Sequence, residues 1–211
     1  MFETAIADND NRAHRVGLLP LPGFALMSHA ALTEPMRAAN LLARRRLYDM
    51  VVLSEDGGPV QSSGDALVAA RARLGDAGRL DYLFVIAGGD PAAYRNPTVM
   101  AWLARQARAG VALGGISGGP VILAKAGLMA GRRMTVHWEH AGTLAEISPH
   151  LLIERTLYVI DRDRLTAAGG TAPMDMMHHL LRQHHGPAFA QLVSDWFLHT
   201  EIRPSGGPQR T

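Results

Sequence analysis

The chain has 211 residues, 47% of them apolar, with 21 Lys and Arg against 19 Asp and Glu for a net charge of +2. That is enough length for one sizeable α/β core and too apolar a composition for disorder, and the near balance of charge makes no electrostatic case for nucleic-acid binding. The absence of cysteine excludes disulfides, a thiolate nucleophile and Cys-metal sites; with no apolar run long enough to span a bilayer and no signal-peptide core, a cytoplasmic location and no membrane partner are expected.

In chain order, residues 1–14 read as a flexible lead-in. Arg15–Leu21 (RVGLLPL) is a short buried strand, turned by Pro22–Gly23. A helix is expected from Ser28, as its cap, to about Ala43, with a kink or delayed start at Pro35 and an apolar face of Leu32, Met36, Ala39 and Ala43. Tyr48–Ser54 is a second buried strand, and Val60–Gln61 with Ala66–Ala69 suggest a hairpin; Gly57–Arg73 otherwise carries no chemical signal. Asp81–Ala87 is a third strand ending in Gly88–Gly89, and Asn96–Gly110 a helix. Val111–Gly114 is a fourth strand and Gly118–Ala126 the helix after it. Met134–Val136 is a short strand, Glu139–Ile147 helical, and Leu157–Ile160 with Arg164–Ala168 a hairpin around Asp161–Asp163. Two helices, Pro173–His184 and Pro187–His199, precede a linker-like 203–211 (RPSGGPQRT). The Met174, Met176, Met177 and Leu180 face of the first reads as core, with Phe189, Leu192 and Phe197 of the second packing on it.

Strands alternating with helices predict a mostly parallel sheet covered on both faces, with ligands bound beyond the strand C-terminal ends. The glycine-bearing ends near Gly88, Gly114 and Gly169 are expected to converge there. The central stretch is VALGGISGGP (111–120), whose turn presents Ser117 at its tip as nucleophile-bearing turns do. Ser117 reads as a nucleophile with His137 as base, as a ligand contact, or as a structural hydroxyl. Gly118 and Gly119 read either as an anion cradle, suited to a carboxylate, or as a tight turn alone. Glu34 reads as a pocket carboxylate for a cationic group, or as the partner of Arg37 at i+3, with Asn40 partly on the same face. Trp138 reads as a cation–π platform or as a core or dimer anchor, Glu139 as a cation contact or a helix-start acid, and Phe24 and Tyr94 as loop aromatics. The ten histidines show no metal-ligand spacing, and neither a dinucleotide fingerprint nor a Walker A sequence is present, so no metal or cofactor is expected.

Four stretches carry a resemblance: LPGFALMSHAALTEPMRAAN (21–40), GGISGGPVILAKAGLMAGRRMTVHWEH (114–140), RLTAAGGTAPMDMMHHLL (164–181) and LRQHHGPAFAQLVSDWFLHTEIR (181–203). The chain resembles the ThiJ/PfpI superfamily of class-I glutamine-amidotransferase-like domains, and more narrowly the N-terminal domain of AraC-type transcriptional regulators, such as those of arginine, carnitine and glycine betaine catabolism. The resemblance implies a flavodoxin-like three-layer α/β sandwich over 15–202. In enzymes of the superfamily a cysteine occupies the position of Ser117, an acid that of Ser28, and often a histidine that of His137. Backbone amides at Gly88–Gly89 and after Ser117 form their oxyanion-hole-like site. With thiol and acid both absent, the resemblance implies a non-catalytic sensing domain for an amino acid or betaine-like effector. It implies a homodimer, with DNA bound only through a C-terminal helix-turn-helix domain beyond residue 211. The alternatives are a serine hydrolase using Ser117, or a dimerisation domain with a vestigial pocket.

Overall fold

The computed structural model describes residues 12–210. Its elements in chain order are β1 (His14–Pro20), α1 (Leu26–Ala43), β2 (Tyr48–Ser54), β3 (Val60–Gln61), β4 (Leu67–Val68), β5 (Ala72–Arg73), β6 (Tyr82–Ala87), α2 (Pro97–Arg108), β7 (Ala112–Ser117), α3 (Gly119–Lys125), β8 (Arg133–Met134), α4 (Trp138–Ile147), β9 (Leu152–Ile153), β10 (Tyr158–Asp161), β11 (Arg164–Ala167), α5 (Ala172–His185) and α6 (Pro187–Trp196). Seven strands form one sheet in the order β10-β11-β7-β6-β1-β2-β5. Every pairing in it is parallel except β10 against β11.

Strand alternation divides the core into two layers. Val16, Leu18, Phe84 and Ile86 point to the side that buries Leu32, Met36, Met176 and Phe189 of α1, α5 and α6. Leu19, Leu83 and Val85 point to the side that buries Val99, Leu103, Ile122 and Leu144 of α2, α3 and α4. The expected three-layer α/β sandwich is therefore present. The chain leaves β1 toward β2 on one side and β6 toward β7 on the other, so the sheet has its topological switch between β1 and β6, where open α/β sheets bind ligands.

Several expectations need correction. The first helix starts at Leu26 and runs through Pro35, and Ser28 lies inside it rather than capping it. The fourth strand continues past Gly114 to Ser117; Gly114 faces the core, where an added Cβ would strike the Phe84 ring at 2.0 Å. The last helix ends at Trp196, short of His199. The lead-in is ordered where it is described: Arg12 pairs with Asp81 and His14 opens β1, while residues 1–11 lie outside the described residues.

At the N-terminal edge of the sheet, His184 sits between two phenols, with Tyr48 Oη 2.8 Å from Nδ1 and Tyr82 Oη 3.0 Å from Nε2. Burial, with lesser help from His14 and His185, pushes its pKa down to about 4. The unfolded chain therefore takes up this proton first as pH falls below the ordinary imidazole range. Stability complete above about pH 6.5 is lost progressively until about pH 4, by roughly 2 kcal/mol after allowance for partial water access. His185 beside it, also depressed to about 4 chiefly by burial, adds to the same loss, so denaturant titrations at pH 7.5 and pH 4.5 should differ by more than that amount, and the difference should shrink by roughly 2 kcal/mol in His184→Phe.

Candidate functional site

β7 ends on Ser117 with φ at +60°, a left-handed conformation that costs a side-chain-bearing residue about 1–3 kcal/mol and is typically held by its surroundings. The glycines around it do the holding. A Cβ on Gly115 would come within 2.6 Å of Pro120 N, and one on Gly119 within 2.0 Å of Val85 O, so the turn closes tightly only where no side chain intervenes. Gly169, just past β11 with φ at +99°, approaches from the other side. A Cβ there would lie 2.8 Å from Ser117 Cβ, 3.0 Å from Ser117 Oγ and 3.1 Å from Ser28 Oγ. The first turn of α1, the end of β7 and the start of α5 thus meet at one corner. Ser28 is buried in it, its Oγ accepting the Gly170 N–H at 2.9 Å. Of the three expected strand ends, the one placed near Gly114 lies instead at Ser117, where it meets Gly169, and the β6 end before Gly88 joins it, Ala87 pairing with Ser117.

The corner lacks a charge relay. Ser117 is 6% exposed, and among the described residues its Oγ makes no hydrogen bond. His137 touches Ser117 through the main chain, its N–H donating to Ser117 O at 3.2 Å. The His137 ring instead caps α4, Nδ1 accepting the Glu139 N–H at 3.4 Å. Burial lowers the His137 pKa, which keeps the ring neutral near pH 7. The Glu139 carboxylate is mostly exposed and 3.8 Å from that same Nδ1. A serine nucleophile needs a base within hydrogen-bond reach, and no such bond is formed among the described residues.

The anion cradle also differs from expectation. The Gly118 N–H is already engaged by Ala87 O at 3.0 Å. By contrast, the N–H groups of Gly88 and Gly89 donate to nothing among the described residues, and Gly89 is exposed with φ at +60°. Of the two amides after Ser117, that of Gly118 is taken, while the Gly119 N–H, at the start of α3, donates to nothing among the described residues, as on the β6 side of the corner. The same β6–α2 connection supplies Tyr94 and Asn96 to a cavity of about 590 Å³ at the switch point, walled also by Pro20, Pro22, Glu55 and Asp56. Asn96 donates to Glu55 Oε2 at 2.6 Å. Burial, then the Glu55 charge, raises the Tyr94 pKa. Of this cavity, sequence reasoning singled out only Tyr94; Glu55 and Asp56 were hidden because a strand-end acid followed by Gly57–Gly58 reads as an ordinary turn.

The remaining candidates are dispersed. Glu34 accepts from Arg37 Nε at 2.8 Å in an open groove shared with Tyr48 and Asp49. Six residues along α1 from Ser28, it is roughly 9 Å away in rise alone and on another face, so the structure does not bring it to the corner. Asn40 ties the α1–β2 loop, accepting from the Leu47 and Tyr48 N–H groups and donating to Tyr48 O. Phe24 is fully buried. The Trp138 side chain remains about half exposed, with the Arg210 guanidinium over its ring, 4.4 Å from the centroid. His137, Glu139 and His140 each offer a donor atom within 4.8 Å of the others, although one His137 nitrogen caps α4 and closed structural metal sites take four ligands.

The tail holds what the sequence hid most. Residues expected to be linker-like pack against the domain: Arg203 binds buried Asp175, Ser205 O accepts from Leu157 N–H, and Gln209 Nε2 reaches Thr135 Oγ1, Val136 O and Thr156 O. One signal was available, an acid set among the methionines of Met174–Met177, which requires a cation from elsewhere.

The profile of the DJ-1/PfpI family matches residues 24–183. The chain is 43% identical over 206 residues to the HTH-type transcriptional regulator GlxA of Rhizobium meliloti, covering 97% of this chain and 64% of that protein. It is 44% identical over 192 residues to the HTH-type transcriptional regulator CdhR of Pseudomonas aeruginosa, covering 91% of this chain and 57% of the other. It thus spans about three fifths of the length of these curated relatives. Among solved structures, an AraC family transcriptional regulator from Pseudomonas putida superposes with a TM-score of 0.80 at 30% identity, over 87% of this chain and 99% of that one.

Proposed function

From the premise that the chain belongs to the DJ-1/PfpI family, in the branch whose relatives are transcriptional regulators, we propose that it is the non-catalytic small-molecule-sensing domain of an AraC-type regulator. DNA binding then belongs to a separate helix-turn-helix domain of the whole protein, with residues 203–211 leading toward it, and the sensing domain works as a cytoplasmic homodimer. The observation that carries the non-catalytic reading is the Ser117 corner, where a hydroxyl stands without a hydrogen-bonded base and the amide after it is engaged by Ala87 O.

The effector occupies the strand-end crevice. A cationic group faces Glu55 and the Tyr94 ring in the cavity, and the carboxylate reaches the Gly88 and Gly89 amides, which stand on the same β6–α2 connection beside the residues that line it. Preferential binding to one arrangement of the domain shifts the population of the regulator, by no more than the difference in affinity between arrangements. Calorimetric titration with arginine, carnitine and glycine betaine tests this. At least one should release heat and raise the melting temperature, with about tenfold weaker binding in Glu55→Gln. No heat and no melting shift with any of the three contradicts the assignment. Ester or amide turnover that disappears in Ser117→Ala would favour the hydrolase reading instead.

A further inference from the structure

A second cavity, of about 340 Å³, lies between the start of α4 and the C-terminal strap. Its walls include Trp138, Glu154, Arg155, Gln209 and Arg210, so the strap itself forms one side. The charge of this chamber is one-sided once its pairs are counted. Glu154 is engaged by Arg133 at 3.3 Å. Arg155 has no hydrogen bond or ion pair among the described residues, and the Arg210 guanidinium has only the Trp138 ring face. Two guanidiniums thus border a space of small-metabolite size with no carboxylate left to answer them.

The strap is also held imperfectly. Gln209 Nε2 faces three acceptors, which fixes the orientation of the amide, and its Oε1 is then buried with no donor. A buried acceptor without a partner costs about 1–3 kcal/mol, so a donor brought to Gln209 Oε1 would strengthen the docking of the strap. The strap reaches the Ser117 corner by a short path: Gln209 binds Val136 O, and the next residue, His137, binds Ser117 O through its N–H.

We infer that this chamber is a second small-molecule site, taking a small organic acid whose carboxylate bridges Arg155 and Arg210, and that occupancy acts directly on the strap. The site is independent of the strand-end crevice and of the effector proposed for it. Nuclear magnetic resonance of the full 211-residue chain tests it with acetate, lactate, succinate and benzoate as probes, following the Trp138 indole and the Gln209 side-chain amide. At least one acid should shift both resonances saturably at millimolar concentration, with binding about tenfold weaker in Arg155→Gln and again in Arg210→Gln, and unchanged in Glu55→Gln. Absence of saturable shifts with all four acids, or shifts that persist undiminished in the Arg155→Gln, Arg210→Gln double variant, would overturn the inference. Both guanidiniums are on partly or fully exposed side chains, and an unchanged amide spectrum verifies that the variants fold.

Discussion

Arg203→Ala should lower the stability of the domain by about 3–5 kcal/mol and its melting temperature by about 10 °C. The Asp175 carboxylate is fully buried. Its Oδ2 receives Arg203 Nε at 3.0 Å and Nη2 at 2.6 Å, and its Oδ1 receives the Arg203 backbone N–H at 3.0 Å and His199 Nε2 at 2.9 Å. Removing the guanidinium leaves the charge inside the protein with one backbone donor and one imidazole, and desolvation of an underpaired carboxylate dominates the balance. Arg203→Lys, which keeps the charge and loses the fork, should fall between wild type and alanine. Thermal and urea denaturation read both. A melting temperature within about 1 °C of wild type in Arg203→Ala would show that the strap is not part of the folded unit.

Gly119→Ala should cost about 3 kcal/mol, near the upper end for overpacking. The added methyl would sit 2.0 Å from the Val85 carbonyl oxygen and 2.9 Å from its carbon, all backbone of a central strand, with no flexible side chain to yield. β6 must move to admit it, and the same strand leads directly into Gly88 and Gly89. The variant should therefore lose effector affinity along with stability. Gly64→Ala, in an exposed loop with nothing within 4 Å, is the control and should change stability by less than about 0.5 kcal/mol.

The layers of the fold were legible in the sequence because period-2 and period-3.6 patterns are local. Tyr48–Ser54 and the Val60–Gln61 strand of the hairpin stand where their apolar runs place them, and the parallel order follows from alternation of strand and helix. The turn at Ser117 was legible too, since its glycines mark close backbone approaches. What escaped was whatever depends on distant partners. Ser28 read as a cap by residue type, yet Gly170, 142 residues on, takes its hydroxyl. Gly118 had two readings open, an anion cradle or a tight turn alone, and Ala87 on the neighbouring strand takes its amide, as the second requires. Glu34 had both readings open, and its side-chain geometry favours the surface pair with Arg37. Composition made 203–211 look like a linker, because glycine and proline content reports local stiffness and says nothing of an Arg that finds a buried carboxylate.

The most direct measurement of the central claim is a crystal structure of the chain soaked with whichever of arginine, carnitine or glycine betaine binds calorimetrically. The molecule should be bound without a covalent link in the strand-end crevice, its carboxylate on the Gly88 and Gly89 amides and the Ser117 hydroxyl unmodified. Density continuous between Ser117 Oγ and the ligand, or a crevice left empty while the ligand sits elsewhere, would contradict that claim.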